Sequence, residues 1–163
     1  MAKRLSVDAR RQVITSAAEE AHRRGDRRVG TDHLLLGLLD EPDSVAERLL
    51  GVDLASARAT SAALDRAALA AVGIDVASVD PPMPIRTRRR PPFTWRLPFT
   101  SGARAVLERS VHEAHSEKAR SIEARHLLLG VLARKRPDPA AELLAALGVD
   151  PAEARDRLTH PAN

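Results

Sequence analysis

The stretch TDHLLLGLL at residues 31–39 is written a second time, as ARHLLLGVL at residues 124–132. With leucines at 34, 35, 36, 38 and 39 and one glycine among them, it has no polar stripe to turn toward water. A helix that is apolar nearly all round belongs between neighbours on every side. The likeness extends outward, at an offset of 93 positions from residue 11 to residue 39. Arg11, Val13, Glu20, Ala21 and His22 return as Arg104, Val106, Glu113, Ala114 and His115, and GVDLASAR at 51–58 is echoed by GVDPAEAR at 148–155. So many matches in one order mark an internal duplication. One half is too short to hide its HLLLG helix, whereas two halves related by a pseudo-twofold axis hide both.

The flanking sequence supplies the other helices. In DARRQVITSAAEEAHRR the apolar positions Val13, Ile14, Ala17, Ala18 and Ala21 recur at helical spacing, and Gly25 stops the run. Thr31 is the expected N-cap of the next helix, with Asp32 in its first turn and Pro42 closing it. A third helix is expected in DSVAERLLG, and a fourth between Asp53 and Gly73. The second half repeats that order, its first helix opened by Thr100 or Ser101. The expected fold is all-α: two pseudo-twofold-related four-helix repeats packed into one domain, residues 1–72 and 100–163. Between them runs a Pro/Arg-rich connector, residues 73–99. Six prolines in residues 80–99 forbid helix there and predict an extended connector.

Composition narrows the function. The chain has 163 residues, 44% hydrophobic and 29% charged, which suits a folded body with a wet surface. Without cysteine there is no disulfide, no thiolate nucleophile and no Cys-type zinc site. No apolar run follows the basic start and none approaches a membrane span, so a soluble cytoplasmic protein is expected. The net charge of +4 is unevenly placed. Residues 81–107 hold six arginines and no acid, a local +6, which leaves −2 for the remainder.

The doubled Thr-acid-His-Leu-Leu-Leu-Gly core, with PFT at 98–100, EEA at 19–21 and VGTDHLLLGLL at 29–39, resembles the N-terminal domain of Clp chaperones of the ClpA/ClpC type, ClpC above all. The likeness covers about residues 6–66 and 97–158. It implies a module that receives substrates and adaptors and, in ClpC-like members, binds phosphoarginine. There a Glu after the Thr of the GTEH motif holds the guanidinium, and the phosphate lies near the helix start. Transferred residue by residue, Gly30 and Thr31 match and Asp32 stands for the Glu, one methylene shorter. In the second half Glu123, Ala124 and Arg125 occupy those positions, and Arg125 reverses the charge. At most one weakened pocket is therefore expected. No G-x-x-x-x-G-K-[ST] loop is present, so no ATPase chemistry is expected of this chain, which reads as a stand-alone Clp N-domain.

By the resemblance, Phe99 with Val13, Ile14 and Val106 would form an apolar surface for partner proteins or cyclic peptides, against a plain core role. The basic patch Arg86, Arg88, Arg89 and Arg90, with Phe93 and Trp95 nearby, offers an alternative as a nucleic-acid-binding or regulatory protein. His112 and His115 lie three apart and lack a third ligand, so no metal is expected. His33 and His126, inside the repeated motif, read as hydrogen-bonded core histidines. No nucleophile–base set and no cofactor signature is found. The chain reads as a non-enzymatic adaptor or decoy for clients of a ClpC-type unfoldase, arginine-phosphorylated clients included.

Overall fold

A computed structural model describes the backbone of residues 5–75 and 97–161, with side chains from residue 9 onward. These residues form eight helices: α1 Leu5–Arg24, α2 Thr31–Leu39, α3 Val45–Leu50, α4 Leu54–Ala71, α5 Ser101–Ser116, α6 Ala124–Leu132, α7 Pro139–Ala146 and α8 Pro151–Thr159. The expected all-α pair of four-helix repeats is what forms. Short side chains set the helix starts, because the first backbone N–H groups of a helix have no partner inside it. Ser44 accepts from the Glu47 amide at 3.1 Å, Asp53 from the Ser56 amide at 2.6 Å, and Asp150 from the Ala152 amide at 2.9 Å. Thr100 caps α5, accepting from the Ala103 amide at 3.1 Å.

Every residue of α2 is buried, and all of α6 except Arg125. Their neighbours follow the pseudo-twofold. α1 packs on α2 as α5 packs on α6, and α7 of the second repeat packs on α2 as α3 of the first packs on α6. Each repeat thus lends its third helix to cover the other's central helix. α4 contacts α7, and α8 contacts α3, by the same exchange. A short backbone bridge adds to this: the Val29 amide donates to the Pro98 carbonyl and the Thr100 amide to the Val29 carbonyl, both at 2.9 Å. The last residues assigned to the connector are therefore pinned to the loop before α2.

The repeated glycine is where α1 meets α2 and α5 meets α6. A methyl group on Gly37 would lie 2.6 Å from the Val13 carbonyl oxygen and 3.0 Å from the Ala17 amide nitrogen. On Gly130 it would lie 2.7 Å from the Val106 carbonyl oxygen. Both contacts are with helix backbone, which cannot rotate away. Val13 and Val106 sit at these crossings with no exposed surface. Gly37→Ala or Gly130→Ala must push two helices apart and is expected to destabilise the fold by about 3 kcal/mol, the upper end for an overpacked core. Urea unfolding checks this; a loss equal to that of an exposed helix alanine would refute it.

Glu41, just beyond α2, is half-buried, and desolvation pushes its carboxyl up to about 7. The folded state therefore holds its proton more tightly than the unfolded chain. That makes the contribution of Glu41 to stability fall as pH rises from the ordinary carboxylate range through neutrality. Glu41→Gln should then raise the melting temperature at pH 8 and leave it unchanged at pH 4. The gain should be on the order of 1 kcal/mol, discounted for the solvent that still screens the group.

Candidate functional site

The start of α2 differs from the sequence expectation in one informative way. The N-cap is Gly30, in extended conformation, and Thr31 is the first helical residue. The capping work passes to His33, whose Nδ1 accepts from the Gly30 amide at 2.8 Å. Accepting at Nδ1 places the proton on Nε2, which donates to Asp26 Oδ2 at 2.8 Å. His126 repeats this at the start of α6, with the Glu123 amide at 2.9 Å and Glu117 at 3.1 Å. Both histidines are buried hydrogen-bonded groups.

Thr31 is thereby free to act elsewhere. Its hydroxyl donates to Asp138 Oδ1 at 2.6 Å and accepts from the Ala140 amide at 3.2 Å. It caps α7, a helix of the other repeat. Asp138, the N-cap of α7, also accepts from the Ala140 amide at 3.0 Å and from Arg134 Nε at 3.0 Å. The starts of α2, α5 and α7 converge here around an open cleft of about 540 Å³, walled by Gly30–His33, Thr100–Gly102, Arg134 and Asp138. Three helix N-termini turn their positive ends to it, and its side chains set Arg27, Arg28 and Arg134 against Asp26, Asp32 and Asp138. Arg27 and Arg28 stand exposed at its rim and pair with nothing among the described residues.

Gly30, Thr31 and Asp32 thus share one cleft wall. Asp32 is not free, however: Arg24 Nη1 donates to its Oδ2 at 2.7 Å. The same guanidinium reaches Ser61 at 3.2 Å and Asp65 at 2.8 Å, tying the end of α1 to α4. Burial alone would lower the pKa of Arg24, but hydrogen bonding and charge from Asp32, with Asp65 and Asp26, outweigh it and hold the group above its ordinary value. In the second repeat Arg125 pairs with Glu117 and, at 3.1 Å, with Glu123.

Other expectations land elsewhere. Val13 and Val106 belong to the core, so neither can present an apolar face to a partner; the glycine crossings account for them. Ile14 and Phe99 are half-buried, Phe99 packing against the core. Arg86, Arg88, Arg89, Arg90, Phe93 and Trp95 lie outside the described residues. Among the described residues no three metal-binding side chains converge, and no helix is long and apolar enough to cross a membrane. Arg24, Asp65, Arg134 and Asp138 belong to no motif, so the sequence does not single them out; the offset of 93 nonetheless holds a signal at Arg24, which it aligns with Glu117.

The model of the Clp repeat (R) N-terminal domain matches this chain twice, over residues 6–73 and 98–163. The chain belongs to that family. It is 33% identical over 150 residues to the chloroplastic chaperone ClpC2 of Oryza sativa subsp. japonica, and equally so to chloroplastic ClpC1 of Arabidopsis thaliana. Each alignment covers 90% of this chain and 14% of the relative, so the chain spans about one-seventh of their length. The crystal structure of the N-terminal domain of ClpD from Arabidopsis thaliana shares the fold, with a TM-score of 0.60, 22% identity and 91% of each chain covered.

Within this Clp N-domain, Thr31 makes a cross-repeat contact that Ala124, its counterpart, cannot make. Thr31→Val keeps the shape and leaves Asp138 and the Ala140 amide each one partner short. A loss of about 1–2 kcal/mol is expected in urea unfolding. Thr31→Ser should recover most of it; equal losses in both variants would refute the hydroxyl's role.

Proposed function

We propose that this Clp N-domain is a non-catalytic protein- and peptide-binding module of the Clp proteolysis system, acting as an adaptor or decoy for clients of a ClpC-type unfoldase in the cytoplasm. Its membership of the Clp repeat family supports the reading. The observation that carries it is the cleft where α2, α5 and α7 begin. That cleft is open, faces three helix starts, carries charged groups of both signs, and is built jointly by both repeats, which suits the docking of an extended segment. Phosphoarginine, the ligand the resemblance implies at Gly30, Thr31 and Asp32, would have to displace Arg24 from Asp32 to bind there. Ile14 and Phe99 offer a smaller half-exposed apolar area for adaptors or cyclic peptides. A second reading rests on charge: the six arginines of residues 81–107 would hold nucleic acid, in binding that weakens steeply with salt.

A degradation assay tests the first reading. The chain is added in excess to a ClpC-type unfoldase, its peptidase and an unfolded casein client, with Ser101→Trp alongside. Ser101 is exposed at the cleft, so the indole should fill it without disturbing the core. Faster client loss is expected of an adaptor and slower loss of a decoy, and Ser101→Trp should abolish either effect. An unchanged rate with the unaltered chain sinks the proposal.

A further inference from the structure

The two repeats carry the same ion pair with its signs exchanged. Arg24 closes α1 and grips Asp32 in the first turn of α2. Ninety-three positions on, Glu117 follows α5 and is gripped by Arg125 in the first turn of α6. Arg24 corresponds to Glu117, and Asp32 to Arg125. A solitary exposed salt bridge would carry no meaning, since such pairs contribute little. Here both members have changed together at equivalent positions, so the pair is retained as a unit whichever helix supplies the cation.

The consequence for the cleft is specific. A carboxylate is the group that selects a guanidinium, through two parallel hydrogen bonds, and the three that line the cleft are each already engaged: Asp26 by His33, Asp138 by Thr31 and Arg134, and Asp32 by Arg24. Asp32 has 12% of its side chain exposed, and one oxygen is already bonded to Arg24. Arg24 is itself engaged on both arms, by Asp32 at 2.7 Å and Asp65 at 2.8 Å, with 24% of its side chain exposed. A ligand guanidinium could take Asp32 only by ejecting Arg24, leaving a largely enclosed cation with a partner lost. In the second repeat the matching position is itself a guanidinium, Arg125, and repels another.

We propose that Arg24 is a specificity-determining residue, a guanidinium built into the chain that fills the subsite at Asp32 and shuts out guanidinium groups of ligands. This deepens the binding reading above and rests on its cleft: recognition there falls to groups other than an arginine side chain. Arg24 is a positioning and blocking residue, and its removal should open the subsite.

The test uses argininamide as the probe and follows the amide resonances of Gly30, Thr31 and Asp32 by NMR. The unaltered chain should show no saturable shift at millimolar concentrations. Arg24→Met should bind with a saturable shift, roughly 10- to 100-fold tighter, the range for one charge-assisted contact. Arg24→Met with Asp32→Asn should lose that gain. The exchanged pair, Arg24→Glu with Asp32→Arg, copies the second repeat and should melt near the unaltered chain and stay closed. Arg24→Gln replaces Arg24→Met if the latter does not fold. Tight argininamide binding by the unaltered chain, or a folded Arg24 variant with no gain, overturns the proposal. Because the readout needs no client or unfoldase, an inert result in the degradation assay would leave it standing, and a negative result here would leave the binding module standing.

Discussion

Two backbone-on-backbone crossings hold this fold together. Where α1 passes Gly37 and α5 passes Gly130, no side chain separates the helices; the carbonyl oxygens of Val13 and Val106 take the space a Cβ would need. Helix axes normally lie about 8–10 Å apart, set by the side chains at the contact. Without a side chain at the glycine, the backbone of the partner helix comes to within 2.6 Å of where a Cβ would stand on Gly37 and 2.7 Å on Gly130. The leucines beside the glycine are then carried inward: Leu34, Leu35, Leu36 and Leu38 on α2, and Leu127 and Leu128 on α6, are almost wholly buried. With α1 covering one side of α2, the uncovered side is left for the other repeat. The exchange of α3 and α7 between central helices follows from that geometry.

The same exchange builds the cleft. Because α7 belongs to the second repeat yet lies on α2, its start faces the start of α2, and Thr31 can satisfy an amide 109 positions away. The bridge between Val29 and Phe99 brings the start of α5 to the same place. Three helix starts meet because the repeats interlock, not because any one of them encodes a site. At the pseudo-symmetric location, the start of α6, Ala124 stands in the place of Thr31 and has no hydroxyl to reach across.

Much of this was legible in the sequence for a physical reason. An all-apolar helix repeated at fixed offset can be satisfied only by mutual burial, so the duplication of HLLLG dictated the architecture. Proline, glycine and short polar residues marked most helix ends, because capping is local chemistry. Thr31 shows where locality stops. Its type signalled capping, but the helix it caps lies in the other repeat, and only the packed structure reveals that His33 had taken over the local duty. Val13 and Ile14 show the same limit. Adjacent apolar residues on an amphipathic helix differ in burial according to which one faces the glycine crossing, and a helical period alone does not place that crossing.

The charged network was readable only when the two halves were compared with each other. Read singly, Arg24 is one more basic residue in a last turn, where the helix dipole already favours it. Read against Glu117 it changes meaning, because a dipole preference cannot explain an acid at the equivalent place. Asp32 and Arg125 differ in the opposite sense, so the sum over each pair is zero in both repeats. Independent drift would have left an unmatched charge at Asp32 or Arg24, which keep 12% and 24% of their side chains exposed, at a cost approaching that of an unpaired buried ion, while Arg125 and Glu117, 39% and 32% exposed, bear less of it. Neutrality kept through a full exchange of signs points to the pair, rather than either residue, as what the fold retains at the mouth of each central helix.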